Sequence, residues 1–255
     1  MTTMTNRAAL CLKAMVALGC ATALLSGCKK IDDTQTAAPA ASTGPGDISG
    51  VWQLAQPVTN LLTADGKAPP LLADAQKIYD ERIAKRAAGK LDEDPAAHCK
   101  PLGEPRAMLE MAWPFQVLQS EGRIDIAYQY NRLVHTIPIQ AEHGTIKGPF
   151  YFGESIGKWE GDMLVVDVIN IRDESWLDVA GLPHSDELHV VERFRSLNGG
   201  KQLEVRFHFE DAKTYAQSWD AVLTFEKKPD LLISEDVCFE RLKINDYATL
   251  DNSLK

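Results

Sequence analysis

The stretch that decides the fold is ELHVVERFRSLNGGKQLEVRFHF, residues 187–209. Apolar and polar side chains alternate on both sides of an Asn-Gly pair, a pattern typical of strands with one face in a core. Asn-Gly also supplies the positive φ angles that a tight turn requires. The stretch therefore predicts a long antiparallel hairpin. One face of its first strand carries Leu188, Val190, Glu192 and Phe194.

The same period-two pattern continues on both sides of this hairpin. Predicted strands lie within residues 47–55, 115–130, 132–139, 155–171, 221–227 and 231–242. One helix is predicted within residues 69–90, where apolar residues recur at helical spacing and Gly89 ends the pattern. The chain is therefore predicted to be all-β with one N-terminal helix. The antiparallel meander would hide its edges by forming a lipocalin-like barrel or a curled two-sheet sandwich.

The N-terminus has the organisation of a signal peptide. A short cationic start precedes an uncharged apolar run at residues 14–25. This run is too short for a spanning helix, which needs about 20 apolar residues. It ends in LSGC, residues 25–28, which resembles the lipobox of bacterial lipoproteins.

That resemblance implies cleavage after residues 1–27 and lipidation of Cys28. The mature protein is then expected in the periplasm, anchored by lipid to a bacterial membrane. Lys29, rather than Asp, follows the cysteine and leaves sorting to the outer membrane open. We expect the outer rather than the inner membrane. The alternative is an ordinary signal peptide, with Cys28 as a free thiol.

The mature chain is predicted to have three parts. Residues 28–47 are rich in Ala, Thr, Pro and Gly and contain one large apolar side chain, which predicts a flexible tether. A single β-rich domain is expected at residues 48–244, which is long enough for one sizeable core. Residues 245–255 are expected to form a C-terminal tail.

The charge balance disfavours nucleic acid as a partner. Removal of the signal peptide removes two of the 27 basic residues and no acid, so 25 basic and 36 acidic side chains leave a net charge of −11. Such a chain repels phosphate backbones. The sequence also contains no basic cluster with interleaved aromatic residues.

Cysteine usage predicts one disulfide. Two of the five cysteines leave with the signal peptide and Cys28 receives lipid, so Cys99 and Cys238 remain. Two thiols in an exported domain favour a disulfide. The alternative is two separate buried thiols. No CxxC redox or zinc motif is present, and no cofactor is expected.

Two resemblances support the fold. Residues 151–194 are similar to a family of uncharacterised exported bacterial proteins with the core SIGxWEGDTLVVD…PHSxxLHVxER, although Met163 stands where Thr is usual. CKPLGEPR, residues 99–106, also fits that family. Gly50-x-Trp52 resembles the opening strand of lipocalin-type barrels. These resemblances imply a barrel and carry no established activity.

Three polar residues interrupt apolar strand faces and are candidates for acid–base catalysis: Glu192, Asp167 and His135. If all three faces point inward, the side chains line one cavity, where desolvation would raise the pKa of Glu192. The alternative is that each is a buried group tied to a partner such as Arg193, Arg206 or a backbone amide.

The connection at residues 172–186 is long, and such connections are usually functional or mobile. It contains His184, which we expect to be a better catalytic partner for Glu192 than His189. On a strand, His189 and Glu192 face opposite sides unless a bulge intervenes. Ser185 beside His184 does not form a triad, and the residues around Ser185 form no nucleophile elbow, so no serine hydrolase is predicted. The histidine spacing fits no zincin motif, and no metal is expected.

Three functions remain open. The leading hypothesis is a periplasmic lipoprotein whose barrel binds a small, partly apolar ligand, lined by Trp52, Trp176 and His189. The first alternative is a metal-free acid–base enzyme, a hydrolase, hydratase or lyase, at the barrel mouth. In that enzyme Glu192 would act with His184, and Asp167 or His135 would lie across the cavity. The second alternative is an envelope scaffold that contacts other proteins.

Overall fold

The computed structural model describes residues 46–109, 113–144 and 147–243. The predicted signal peptide, the lipidation site at Cys28, most of the tether and the C-terminal tail lie outside these residues. No helix among the described residues is long and apolar enough to cross a membrane.

Nine antiparallel strands form a single sheet, and three short helices accompany it in the described part of the chain. The strands are β1 (Gly50–Leu54), β2 (Phe115–Ser120), β3 (Arg123–Tyr128), β4 (Val134–Pro138), β5 (Glu154–Glu160), β6 (Met163–Ile169), β7 (His189–Leu197), β8 (Gln202–Glu210) and β9 (Trp219–Lys227). The helices are α1 (Ala73–Ala87), α2 (Arg106–Leu109) and α3 (Cys238–Lys243).

The sheet curls into a nearly closed barrel. Its strand order is β4-β3-β2-β1-β9-β8-β7-β6-β5, so the first and last strands pair and the seam lies between β4 and β5. At the seam Ile139 and Gly157 form a parallel bridge, and the Gln140 N–H donates to the Gly157 carbonyl at 2.8 Å. A Cβ on Gly157 would lie 2.7 Å from Ile139 Cδ1, so glycine permits this approach. The predicted all-β fold is confirmed as a barrel.

The hairpin predicted at residues 187–209 is confirmed as β7 and β8. Leu197 pairs with Gln202, and Asn198 and Gly199 have φ angles of 53° and 66° at the turn. The predicted inward face is also confirmed, because Leu188, Val190, Glu192 and Phe194 are all buried.

Large side chains pack the central interior of the barrel. The aromatic residues that are fully buried include Trp52, Phe115, Phe194, Phe207, Phe209 and Phe225. Phe115 and Phe225 meet edge to face, with ring centroids 5.0 Å apart. Each such side chain stabilises the fold by about 1.5–3 kcal/mol through burial. This region is therefore a packed core.

The strand predicted within residues 231–242 is wrong. Residues 231–237 contain no helix or strand, and α3 covers Cys238–Lys243. Because β9 already pairs with β8 on one side and β1 on the other, it offers no edge to a further strand. Leu232 is 82% exposed and Phe239 is 65% exposed, so neither side chain contributes to the core.

The predicted disulfide between Cys99 and Cys238 is present. It joins the loop after the turn at Pro95–His98 to the first residue of α3, rather than to a final strand. α1 matches the predicted helix. Helices α2 and α3 were not predicted, because four to six residues are too few to show a helical period.

Candidate functional site

Five polar side chains meet inside the barrel, and we call them the interior polar cluster. Tyr128 comes from β3, His135 from β4, Ser155 from β5 and Glu192 from β7, while Glu104 comes from the loop before α2. All five are buried. The cluster includes two of the predicted catalytic candidates, His135 and Glu192.

Strand register places the cluster at the seam. His135 pairs with Ile126 on β3, and Ser155 pairs with Val168 on β6, so both side chains point inward with buried apolar partners. Across the seam, His135 Nε2 lies 2.8 Å from Ser155 Oγ. The other ring nitrogen, Nδ1, lies 3.0 Å from Glu104 Oε1.

Glu104 enters the barrel from a loop that is held at several points. Arg106 donates to Asp94 at 2.8 Å, and both side chains are buried. Gly103 has a φ of 72° and passes so close to the chain that an added Cβ would lie 2.5 Å from the Tyr151 carbonyl oxygen. Glu104 Oε1 then accepts hydrogen bonds from both the Tyr128 hydroxyl and His135.

The two carboxyl groups of the cluster have opposite pKa shifts. Burial acts to raise the pKa of Glu104, but His135 and the hydrogen bonds of Glu192 and Tyr128 outweigh it and hold the pKa below its usual range. Burial, with the charge of Glu104, raises the pKa of Glu192 far above its usual range. At neutral pH Glu104 is therefore the carboxylate and Glu192 the neutral acid.

Some polar atoms of the cluster have no hydrogen-bond partner among the described residues. The carboxyl groups of Glu104 and Glu192 interact, yet Oε2 of each residue has no hydrogen-bond partner in the described structure. Buried polar atoms without partners are rare in folded proteins and mark strain, catalysis or a bound molecule. The arrangement can hold a proton on Glu192 and accept one at His135.

Phe152 covers the cluster on the connection between β4 and β5. Its ring stacks on His135 with centroids 5.1 Å apart and on Tyr128 with centroids 5.5 Å apart. Phe152 itself is only partly buried. It therefore separates the interior polar cluster from solvent at the seam.

Asp167 does not join the cluster, and the prediction that it lines the same cavity is wrong. Its carboxylate lies on the outer face, where Oδ1 is 2.8 Å from His143 Nε2 and Oδ2 is 3.2 Å from His189 Nε2. On β6 the inward residues are Leu164, Val166 and Val168. Because Val165 on the other face is also apolar, the sequence pattern did not reveal which face was inside.

The outer-face contacts continue across β7, β8 and β9, and we call the whole set the outer histidine row. Its members are His143, Asp167, His189, Glu210, His208 and Asp220. His189 Nδ1 lies 2.9 Å from Glu210 Oε2. The expectation that His189 and Glu192 face opposite sides is confirmed, whereas His189 does not line the interior.

The pKa shifts in this row follow from its ion pairs. Burial acts to raise the pKa of Asp167, but hydrogen bonds with His143 and His189 lower it overall. Burial acts to lower the pKa of His189, but Glu210 and Asp167 raise it overall. The charged forms of Asp167 and His189 are therefore favoured, unlike that of Glu192.

His184 does not pair with Glu192, so this predicted catalytic pair is not formed. Its Nε2 lies 2.8 Å from Ser175 Oγ, and its Nδ1 lies 2.9 Å from the Ser185 carbonyl oxygen. The connection folds against the barrel, with Ser185 bonded to Asp211. His184 is buried there, and burial lowers its pKa.

The two tryptophans predicted to contact a ligand pack against protein groups. Trp52 is fully buried and its indole N–H donates to the Ile48 carbonyl at 2.9 Å. The ring of Trp176 lies 4.6 Å from the guanidinium carbon of Arg82 and 5.3 Å from that of Arg106.

A cleft of about 750 Å³ lies outside the barrel wall, and we call it the 57–69 cleft. The segment 57–69 forms one side, while Tyr79 of α1 and Val222 and Leu223 of β9 form the other. No charged side chain lines it. The Tyr79 hydroxyl accepts from Asn60 at 2.9 Å and donates to buried Asp178 at 2.6 Å.

Three members of the interior polar cluster were not among the predicted site residues: Glu104, Tyr128 and Ser155. Tyr128 continues the buried face of β3 with Ile124 and Ile126, and this pattern carries no sign of a polar role. Glu104 lies in an irregular loop without a pattern. Ser155 is the centre of GESIG, residues 153–157, a G-x-S-x-G match that lies at the start of β5 rather than at a strand-to-helix turn. Among the described residues, no group of three or more His, Cys, Asp or Glu side chains is arranged to hold a metal ion.

Comparison with known proteins gives no functional assignment for this chain. No family model and no curated protein matches the sequence. Among solved structures, the barrel matches the crystal structure of a "secretary abundant heat soluble (SAHS) protein from Ramazzottius varieornatus". The two are 12% identical, the match covers 74% of this chain and 99% of that chain, and the TM-score is 0.37. A likeness at this level says nothing of what either protein binds.

Proposed function

We propose that this chain is an exported, lipid-anchored protein whose barrel domain binds a small, neutral, partly apolar molecule in the 57–69 cleft. The observation that carries the binding proposal is the cleft itself. Its volume of about 750 Å³ falls within the range of small-molecule sites, roughly 300–1,000 Å³.

The lining supports a ligand of this chemistry. Pro57, Val58, Leu62 and Val222 offer apolar contacts, and Tyr79 supplies one fixed hydroxyl group. An ion would lose its hydration in such a cleft without meeting an opposite charge, which is costly. A neutral molecule with an apolar body and one or two polar atoms fits better.

The binding test uses N-phenyl-1-naphthylamine, a neutral apolar probe whose fluorescence rises in dry surroundings. We expect saturable binding of one probe per chain. Val222→Phe should fill the cleft and weaken binding by at least about tenfold, which corresponds to roughly 1.4 kcal/mol. Thr224→Phe is the matched control, because Thr224 lies on the same face of β9 but does not line the cleft. Equal binding by both variants would refute this site.

The anchor is proposed from the sequence around Cys28. LSGC at residues 25–28 supports it, with the tether that follows. Metabolic labelling with a palmitate analogue should tag the wild type and not Cys28→Ala. Equal labelling of the two proteins would show that Cys28 is not the lipidated residue.

A further inference from the structure

Three residues of the interior polar cluster form a continuous relay. Ser155 Oγ lies 2.8 Å from His135 Nε2, and His135 Nδ1 lies 3.0 Å from Glu104 Oε1. When the Nδ1–H donates to Glu104, Nε2 has a free lone pair that can accept the proton of Ser155, and at 2.8 Å it is a nearer acceptor than the Phe152 carbonyl oxygen at 3.3 Å. A hydroxyl nucleophile, an imidazole base and an orienting carboxylate in this order define a catalytic triad by geometry.

A second serine–histidine contact in the described structure has no carboxylate hydrogen-bonded to its histidine. Ser175 Oγ lies 2.8 Å from His184 Nε2, the same distance as in the first pair. His184 Nδ1, however, faces the Ser185 carbonyl oxygen rather than a carboxylate. Of these two pairs, the one at the seam also has a carboxylate, Glu104, within hydrogen-bond distance of the second ring nitrogen.

We propose that Ser155, His135 and Glu104 are a catalytic triad with which this protein hydrolyses esters of short, uncharged acyl groups. The proposal is independent of ligand binding in the 57–69 cleft, which lies outside the barrel wall. Ser155 is the nucleophile, His135 is the general base and acid, and Glu104 is a positioning residue that acts through His135.

The reaction has two balanced halves. Ser155 Oγ attacks the carbonyl carbon while its proton passes to His135 Nε2. The bond between that carbon and the leaving oxygen then breaks, and His135 returns the proton to release an alcohol. Water attacks the acyl-Ser155 ester, giving one proton to His135. The bond to Ser155 breaks, Oγ takes up that proton, and a carboxylic acid leaves.

The surroundings restrict the substrate. The ionised Glu104 disfavours an anionic acyl group, because two negative charges in a dry interior repel strongly. The rings of Phe152 and Tyr128 stack on each other beside the site, so an acyl group that displaces Phe152 meets aromatic faces, which favours a small apolar group.

Phe152 controls access to Ser155. It stacks over His135 and belongs to an irregular connection rather than to a strand. A reagent or ester must displace this ring to reach the nucleophile. Phe152→Ala should therefore speed every reaction at Ser155 without changing the residue that reacts.

The experiment treats the full-length chain with phenylmethylsulfonyl fluoride, and mass spectrometry of its peptides locates the adduct. The Ser155 oxygen forms a bond to sulfur as fluoride leaves, so the adduct marks the activated serine. Hydrolysis of p-nitrophenyl acetate is followed in parallel. We expect one adduct, at Ser155, and a burst of nitrophenol that matches the protein concentration.

Variants separate catalysis from structure. Ser155→Ala should lose the adduct and the burst, whereas Ser175→Ala should keep both. Glu104→Gln should slow acylation by about 10⁴-fold, as the loss of the orienting carboxylate does in known triads. Its circular dichroism spectrum should remain that of the wild type, because a purely structural role would not lower the rate in a folded protein.

Two results would overturn the proposal. One is the absence of an adduct at Ser155 in both the wild type and Phe152→Ala, because the second variant removes the steric cover. The other is equal labelling of Ser155 and Ser175, which would show that the carboxylate confers no activation. A cleft that binds N-phenyl-1-naphthylamine in the same preparation would leave the binding proposal standing.

Discussion

Carboxyl groups on three adjacent strands of this barrel meet two different environments. Glu192 on β7 points into a dry interior, and its pKa is raised far above the usual range. Asp167 on β6 and Glu210 on β8 point outward into ion pairs with histidines, and their pKa values are lowered. Three carboxyl groups on adjacent strands thus differ in charge because of solvent and partners. The interior polar cluster and the outer histidine row can be separated by experiment.

The largest expected effect comes from the disulfide that holds the loop carrying Glu104. Replacing Cys99 and Cys238 by serine should lower the free energy of unfolding by about 4–5 kcal/mol, from the chain entropy released in the unfolded state. Guanidinium unfolding measures this loss. The ring signals of His135 in NMR spectra should shift, while those of His189 should not. A loss below about 1 kcal/mol would contradict the prediction.

The second prediction compares the loss of stability when an acidic residue is replaced by leucine inside the barrel and on its outer face. Glu104→Leu should destabilise the protein by about 3–5 kcal/mol, since the Tyr128 hydroxyl and the His135 N–H lose their acceptor in a buried site. Asp167→Leu removes a partly exposed ion-pair partner and should cost at most about 1 kcal/mol. Urea denaturation at pH 7 measures both. Equal costs would contradict the distinction between the two environments.

The third prediction concerns the pH dependence of stability at Glu192. Its folded pKa is raised, so above the usual range of a glutamic acid the unfolded chain has lost a proton that the folded chain retains. Stability therefore falls as pH rises, by up to about 1.4 kcal/mol per pH unit from this one group. Glu192→Gln mimics the neutral acid and should remove that slope.

Urea denaturation at pH 5.5 and pH 7.5 tests this difference. Glu192→Gln should gain stability over the wild type between these two pH values, by up to about 1.4 kcal/mol per pH unit. Glu210→Gln is the matched control on the outer face, and it should keep the wild-type loss of stability with rising pH. A variant of Glu192 that loses stability as steeply as the wild type would refute the raised pKa.

The smallest expected effect is at His189. Its folded pKa is raised by Glu210 and Asp167, so its stabilising contribution is present below the usual pKa of histidine and is lost as pH rises through the folded value. His189→Gln should therefore destabilise the protein at pH 5.5 by at most about 1 kcal/mol and have no effect at pH 8.5. Thermal unfolding at both pH values measures it. The reverse pH dependence would contradict the assigned shift.

Several parts of this structure were predictable from local patterns. The hairpin of β7 and β8 follows from an Asn-Gly turn between two alternating runs, and the inward face of β7 follows from its apolar residues. The disulfide follows from the two cysteines that remain once the other three are assigned to the predicted signal peptide and lipid anchor. The segment 231–242 was misread as a strand, because local apolar content does not show whether a sheet edge is still open.

The candidate site was only half predictable. His135 and Glu192 stood out because each interrupts an apolar face, and that signal is local. Glu104 carries no such signal, and the G-x-S-x-G match around Ser155 does not show which residues contact it, because those contacts come from residues far away in the sequence. Asp167 was assigned to the wrong side, since both faces of β6 near it are apolar.

The sequence by itself determined the antiparallel strands, the cysteines available for pairing and the side chains that share each face of β7. These follow from backbone periodicity and residue chemistry within a few positions. Only the tertiary structure decided that β1 pairs with β9, that the seam falls between β4 and β5, and that Glu104 reaches His135. Those features depend on barrel closure and loop packing, where contacts form between distant residues and their energies are decided by burial rather than by local pattern.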